Sequence, residues 1–430
     1  MKTYINPEKS SWNEILKRPL FDVSELYGKV QSVLNEIKSD GDAALRKYTL
    51  QFDGFQLDTI RVSEDEISDA AKQVDEGLKK AIALAANNIA TFHSAQKQPI
   101  TKIETTGGVT CWQKPVGIEK VGLYIPGGTA PLFSTVLMLA IPAKIAGCKK
   151  IVLCTPPNKK GEINPAILYA AETAGVTEIY KLGGIQAIGA MAYGTATVPK
   201  TYKIFGPGNQ YVMAAKQLVS MNSVAIDMPA GPSEVLVVAD KTSNPAFVAA
   251  DLLSQAEHGT DSQVILVADQ TETIDKIKAE IDIQLNKLPR KEIALKALEN
   301  SVLIVLENEA ERIGLINEYA PEHLIISTEN YAEISEQIIN AGSVFLGAFT
   351  PESAGDYASG TNHTLPTNGW ARSYSGVNID SFQRKITFQE VTKEGIQNIG
   401  PAIEKMAAAE QLDAHKNAVT LRLRDINTRN

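Results

Sequence analysis

The stretch LLSQAEHGTDSQ, residues 252–263, places an amide and an imidazole three positions apart, at Gln255 and His258. On a helix that spacing puts both on one face, and Gly259 just beyond is suited to ending the helix. The pair is either half of a metal site or a polar last turn facing water. Four of the five histidines stand among polar neighbours: His258 in SQAEHG, His323 in APEHL, His363 in SGTNHTLP and His415 in EQLDAH. His93, in a helical stretch nearer the N-terminus, reads as an ordinary, partly exposed residue. Imidazole is the commonest metal ligand and exchanges protons readily near neutral pH. Zinc accepts imidazole nitrogen and carboxylate oxygen. His258, His415 and Asp356 are therefore of the right types, and Gln255 can add an amide oxygen. Their wide separation makes spacing alone a weak argument. Glu322–His323 differs in kind, being an adjacent carboxylate and imidazole ahead of the strand-like HLIIST. It offers two bases to one cleft, or equally is a surface Glu beside a half-buried His.

Two glycine loops add a second kind of chemistry. YIPGGTAPLFS at 124–134 and FGPGNQYV at 205–212 each follow a strand and lead into a helix. Glycine lets backbone amides approach a phosphate, and a helix N-terminus favours an anion. Neither loop is a GxGxxG fingerprint, and tight turns between elements explain them equally well. Cys111, Cys148 and Cys154 form no CxxC pair, which suits a reducing compartment. Cys154 lies in a strand-like run and Cys148 ends an apolar helix, so all three read as small buried hydrophobes.

The elements that must position these groups alternate. From about residue 108, short β-branched runs such as KVGLYIP, KKIVLCTPP and EIYKLGG are separated by helical segments. The pattern resumes after residue 234 with EVLVVAD, QVILVAD, SVLIVLENE, HLIIST and SVFLGAF. Such alternation indicates βαβ units and parallel sheets. The Pro/Gly-rich IDMPAGPSEV joins the blocks, suggesting two α/β lobes around a cleft. The first hundred residues read as mostly helical, with a capping box from Ser63 to Glu66. Beyond about residue 385 the chain reads as helical and charged, without a sheet partner of its own. A length of 430 residues, 44% hydrophobic and 21% charged, is that of a globular protein. A formal charge of −8 argues against a nucleic-acid surface. The longest apolar run, VLMLAIPA, is too short for a membrane span, and the opening residues resemble no export or transit signal. A cytoplasmic location is expected.

Taken in order, VGLYIPGGTAPLFSTVLM, IFGPGN, IDMPAGPSEVLV, LLSQAEHGTDSQV, APEHL, GDYASGTNHTLPT and LDAHKNAVTLR resemble the histidinol dehydrogenase family. The resemblance runs from roughly residue 20 to residue 425. It implies zinc-requiring, NAD-dependent oxidation of L-histidinol through L-histidinaldehyde to L-histidine. That is a four-electron reaction with two NAD+ per turnover, the last step of histidine biosynthesis. It implies one Zn2+ per subunit, held by Gln255, His258, Asp356 and His415, and a catalytic pair in Glu322 and His323. Substrate contacts would fall on Ser233, Gln255, His258, His323, Asp356, His363, Glu410 and His415, with Ser134 as a further candidate. NAD contacts would fall on Tyr124, Gln186 and Asn209, with Pro126 beside them.

The implied fold is α/β, with two Rossmann-like lobes of parallel sheet around a cleft, a helical N-terminal segment and a C-terminal tail. Its expected parts are a helical segment at 1–21, a metal and catalytic lobe at 22–127 and 235–380, an NAD lobe at 128–234 and a helical tail at 381–430. The resemblance also implies a homodimer whose tails cross, so that His415 and Glu410 complete the partner's site. Two rivals remain on the residues alone. A zinc hydrolase would use Glu322 to activate water without NAD+, and a two-lobed solute-binding protein would bind without turnover.

Overall fold

The structure, a computed structural model, describes residues 1–19, 24–127, 131–229 and 231–428. The expected lobe starts at 22 and 128 lie outside the described residues. Contacts divide the chain into two compact units, residues 1–95 with 118–382 and residues 96–117 with 383–430. No helix among the described residues is long and apolar enough to cross a membrane.

The first unit holds two parallel sheets, as the alternating pattern indicates. One has six strands in the order β1 (Lys2–Ile5), β11 (Val302–Val305), β10 (Gln263–Ala268), β9 (Glu234–Ala239), β12 (His323–Ser327) and β13 (Ser343–Leu346). Parallel strands covered by helices on both faces read as continuous apolar runs, and β9, β10 and β12 are buried throughout. Side chains alternate between the faces. Val235 and Val237 pack with helices Pro245–Ala256 and Thr271–Leu285, whereas Leu236 and Val238 pack with Trp12, Ile316 and Tyr319. The segment 1–21, expected to be helical, therefore begins with a strand. β1 pairs in register with β11, and only short helical turns follow.

The buried polar residues of this sheet gather at strand starts. Glu234 opens β9, Gln263 opens β10 and His323 opens β12. Arg18 neutralises Glu234 with a two-pronged contact, Nε to Oε2 at 2.5 Å and Nη2 to Oε1 at 3.0 Å. Paired guanidinium–carboxylate forks are among the stronger charged contacts. Removing one partner of a buried pair strands the other charge, at about 3–5 kcal/mol. Arg18→Ala is therefore expected to lower unfolding free energy by that order, read by urea titration, while Arg18→Lys recovers only part of it.

The second sheet has the order β6 (Glu178–Lys181), β5 (Lys150–Thr155), β4 (Lys120–Tyr124), β7 (Lys203–Phe205) and β8 (Ala225–Ile226). Its covering helices include Phe133–Ala146, Pro165–Ala174, Gly184–Tyr193 and Gln210–Asn222. The N-terminal helices join the same cores: Val30, Leu34, Ile37 and Leu45 on one side, Ile82 and Ile89 on the other. This packing differs from the expected grouping of 22–127 with 235–380, because the apolar stripes of these helices find their complement on β4–β6. Ser63 caps Glu64–Gln73 through the expected capping box, but Val74 is extended and a separate helix runs over Glu76–Ser94. His93 is fully buried rather than partly exposed, its Nδ1 2.8 Å from the Ile89 carbonyl. A hydrogen bond within its own helix removes most of the cost of burying that edge of the ring.

The second unit corrects the reading of the tail as lacking a sheet. Its antiparallel sheet has the order β14 (Gln383–Val391), β3 (Val109–Gly117) and β2 (Ile103–Thr106), with Gln383 opposite Gly117 and Val391 opposite Val109. Trp112 and Phe388 stack across it at 5.4 Å. Helices Lys393–Ala409 and Asp413–Thr428 follow, with Gly400 lying against Val419 and Leu423.

Candidate active site

A helix after a parallel strand runs back against the strand direction, so its last turn returns to the amino edge of the sheet. Pro245–Ala256 does this after β9 and brings Gln255, completely buried, to the main chain of Glu234. The helix ends at Ala256 with right-handed Glu257 as its cap, so Gly259 does not supply the left-handed stop its position suggests. The Gln255 amide satisfies its neighbours in one orientation. Nε2 then donates to both oxygens of Glu352, at 3.1 Å for Oε2, and Oε1 accepts from the Glu234 N–H at 3.2 Å.

The same N–H donates to Glu322 Oε2 at 2.9 Å. His323 Nδ1 lies 3.3 Å from the Glu234 carbonyl, 3.7 Å from Glu322 Oε2 and 3.9 Å from Glu352 Oε1. A carbonyl only accepts, so Nδ1 carries the proton and Nε2 carries the lone pair. That Nε2 is buried without a hydrogen-bond partner, 3.9 Å from Asp356 Oδ1. His363 completes the group, with Nδ1 3.1 Å from the Asp356 carbonyl and Nε2 3.0 Å from Thr135 Oγ1. The adjacent Asn362 donates to the Met138 carbonyl at 2.6 Å, fastening this loop to helix Phe133–Ala146. Ser134, in the first turn of that helix, is buried, and Ser233, just ahead of β9, is half-buried.

Burial sets the protonation of the cluster. It raises Glu322 and Glu352 well above the carboxylate range and Asp356 to about 7, with neighbouring carboxylates adding to the rise for Glu322 and Glu352. It lowers His323 to about 3 and His363 to about 4. No Lys or Arg pairs with Glu322, Glu352 or Asp356 among the described residues, unlike Glu234 with Arg18. Ligand atoms of His258, Glu352 and Asp356 lie within 4.8 Å of one another. Carboxylates without a basic partner, beside imidazole nitrogen, are a donor set that fits zinc.

The other cofactor candidates stand at the carboxyl edge of the five-stranded sheet, where open α/β sheets bind ligands. Tyr124 ends β4, is buried, and accepts from the Gly184 N–H at 3.1 Å. Gln186 is completely buried. Its Nε2 donates to Asp53 at 2.9 Å, while its Oε1 has no partner. Asn209 is exposed and caps Gln210–Asn222, accepting from the Tyr211 and Val212 N–H groups, and Pro126 is half-buried. Gly206, at φ 122°, meets the Tyr124 main chain so closely that a Cβ would lie 2.0 Å from its carbonyl oxygen. Only glycine fits there. The unpartnered Gln186 Oε1 leaves a free acceptor among the residues expected to hold a dinucleotide, and that fits the group.

Residues 16–423 match the family described as histidinol dehydrogenase. The chain belongs to the histidinol dehydrogenase family. It is 63% identical over 423 residues to histidinol dehydrogenase of Bacteroides thetaiotaomicron, covering 98% of this chain and 99% of that one. It is 52% identical to the Escherichia coli K12 protein, covering 95% and 94%. The crystal structure of histidinol dehydrogenase from Elizabethkingia anophelis superposes with a TM-score of 0.98 at 59% identity, covering 99% of each chain. The chain is thus an oxidoreductase of histidine biosynthesis, which sets aside the hydrolase and solute-binding readings.

For a histidinol dehydrogenase, the fold brings together Gln255, Asp356, His258, Glu322, His323 and His363. His415 and Glu410 belong to the second unit, are exposed, and are not among the clustered ligand groups. Sequence reasoning missed Glu352, Thr135 and Asp53. The spacing of Glu352 and Asp356 in PESAGDY was the available signal for the first, since i and i+4 share a helix face.

Proposed function

We propose that this chain oxidises L-histidinol to L-histidine in two successive hydride transfers to NAD+, on a site that holds zinc. The observation that carries the reading is the buried, unpartnered Nε2 of His323, 3.9 Å from Asp356 of a metal-type cluster of carboxylate and imidazole, with Glu322 beside the ring's other nitrogen. Anaerobic turnover of metal-quantified protein should give two NADH per histidine formed. A ratio of one would contradict the complete four-electron reaction.

Gln255, His258 and Asp356, with His415, would hold the ion, which when bound grips and orients the imidazole and amine of the substrate. Tyr124, Gln186, Asn209 and Pro126 would hold the nicotinamide cofactor, the hydride acceptor. Ser134, Ser233, His363 and Glu410 would complete the substrate's surroundings. In the first oxidation His323 Nε2 takes the hydroxyl proton as the carbon gives up hydride. The aldehyde must then be hydrated, and Glu322, which would be ionised once a bound cation nearby offsets the effect of burial, takes a proton from the attacking water. His323, having passed its first proton to solvent, accepts the hydrate's hydroxyl proton as the second hydride leaves to a second NAD+, which yields the carboxylic acid.

A thiol route through a thiohemiacetal is disfavoured by the cysteines themselves. Cys154 is buried in β5 and burial raises its pKa; Cys148 is half-buried and pushed up to about 12, again mainly by burial. The thiolate is the reactive form. Cys111, in β3, is half-buried rather than buried as expected. Cys111→Ala, Cys148→Ala and Cys154→Ala are each expected to keep aldehyde oxidation within a few-fold of wild type. Loss of that step alone, with folding and zinc content intact, would establish the thiol route.

A further inference from the structure

Gly206 has no side chain to hold it, so its place depends on what its N–H and C=O meet. It is buried and stands one residue beyond β7, past the last rung that β7 shares with β4. Beyond that ladder, two buried charged side chains serve its peptide groups. Asp227 Oδ2 accepts from its N–H at 2.9 Å, and Lys216 Nζ donates to its carbonyl at 2.9 Å. The two side chains, 3% and 6% exposed, pair with each other at 2.5 Å. Lys216 belongs to helix Gln210–Asn222, and helical side chains lean toward the N-terminus, which returns its ammonium to the loop ahead of that helix. Asp227 directly follows β8 and also accepts from the Met228 N–H at 2.9 Å.

Strands β5 and β6 lie on one side of β4, and β7 and β8 on the other, so the strand order reverses between β4 and β7. Open α/β sheets bind ligands at the carboxyl end of such a reversal. Gly206 stands there against the main chain of Tyr124, and the loop it opens ends at Asn209. A buried ion pair is often worth no more to stability than apolar side chains of similar volume. Its use on the two polar groups of one glycine is explained by a loop whose shape must be kept. We infer that Lys216 and Asp227 are positioning residues of the cofactor crevice, clamping Gly206 so that the loop to Asn209 keeps the shape that receives the nicotinamide dinucleotide. The inference rests on the reading of Tyr124 and Asn209 as cofactor contacts and deepens it.

The test is equilibrium binding of NADH to the full-length protein, followed by nicotinamide fluorescence, with histidinol binding and the thermal midpoint measured on the same samples. Lys216→Met and Asp227→Asn each leave one buried charge unpaired and should lower the midpoint. Combining them removes both charges, so the double variant should melt closer to wild type than either single variant. The Gly206 carbonyl still lacks its donor there, and NADH should bind about ten- to a hundred-fold more weakly. Histidinol binding should stay within a few-fold of wild type. Lys216→Arg, which keeps a charge and a donor, should recover part of the NADH affinity. Undiminished NADH binding in the double variant overturns the inference. So does a loss of histidinol binding in equal proportion, which would mean a general loosening of the fold. Asn209→Ala tests the underlying reading by itself. If that variant binds NADH as wild type does, the loop is not a cofactor contact, and the inference falls with that assignment.

Discussion

Glu322→Gln is expected to slow histidinaldehyde oxidation on the order of a hundred- to ten-thousand-fold, the usual cost of losing one positioned base. Histidinol oxidation should fall far less. The substitution is close to isosteric, and a glutamine oxygen can still accept from the Glu234 N–H that now holds Glu322 Oε2 at 2.9 Å. The carboxylate's place beside His323 survives, and its capacity to take a proton from water does not. The alcohol step requires no water, so it should not share the loss. His323→Asn supplies the contrast, because the lone pair on Nε2 is asked to act in both oxidations and both should drop. The measurement is stopped-flow NADH formation with each substrate supplied separately, on protein of equal zinc content. Equal losses for Glu322→Gln with alcohol and aldehyde would contradict the division of labour between the two bases.

The parts of this site legible in the sequence were those fixed by local geometry. Gln255 and His258 were legible as a polar pair at a helix end, although the helix stops at Ala256 and His258 lies exposed in the turn beyond it while Gln255 is completely buried; the apolar runs of β9, β10 and β12 required burial on both faces. The edge of the sheet on which the site stands was not legible. Open parallel sheets usually bind ligands at their carboxyl ends, and the five-stranded sheet carries Tyr124 there. The six-stranded sheet instead uses its amino edge, where Glu234 N–H serves both Glu322 and Gln255. That choice depends on which helices return to the edge, a tertiary property. Strand β14 was missed for a related reason. Its residues are largely exposed, so burial imposes no strong alternation, and its partner β3 lies far away in the sequence. His93 misled because nothing beside it in the sequence announces burial, although its Nδ1 is satisfied by the Ile89 carbonyl of its own helix.

The exposed His415 and Glu410, both in the second compact unit, lead to the other large expected effect. If the tails exchange between the subunits of a homodimer, each site needs Glu322 from one chain and His415 from the other. Glu322→Ala and His415→Ala homodimers should then each be nearly inactive in complete turnover. After subunit exchange in a one-to-one mixture, about half of the dimers are mixed. In each mixed dimer one site receives an intact Glu322 and an intact tail, and the other receives both lesions. Activity should therefore climb from near zero to about a quarter of the wild-type value. Native mass spectrometry of chains with different tags reports the fraction of mixed dimers independently of turnover. A fully exchanged mixture that stays inactive would mean that His415 serves its own chain. In that case zinc binding should survive dilution to the monomer, whereas a shared ion should be released as the dimer separates, because one of its ligands departs with the partner.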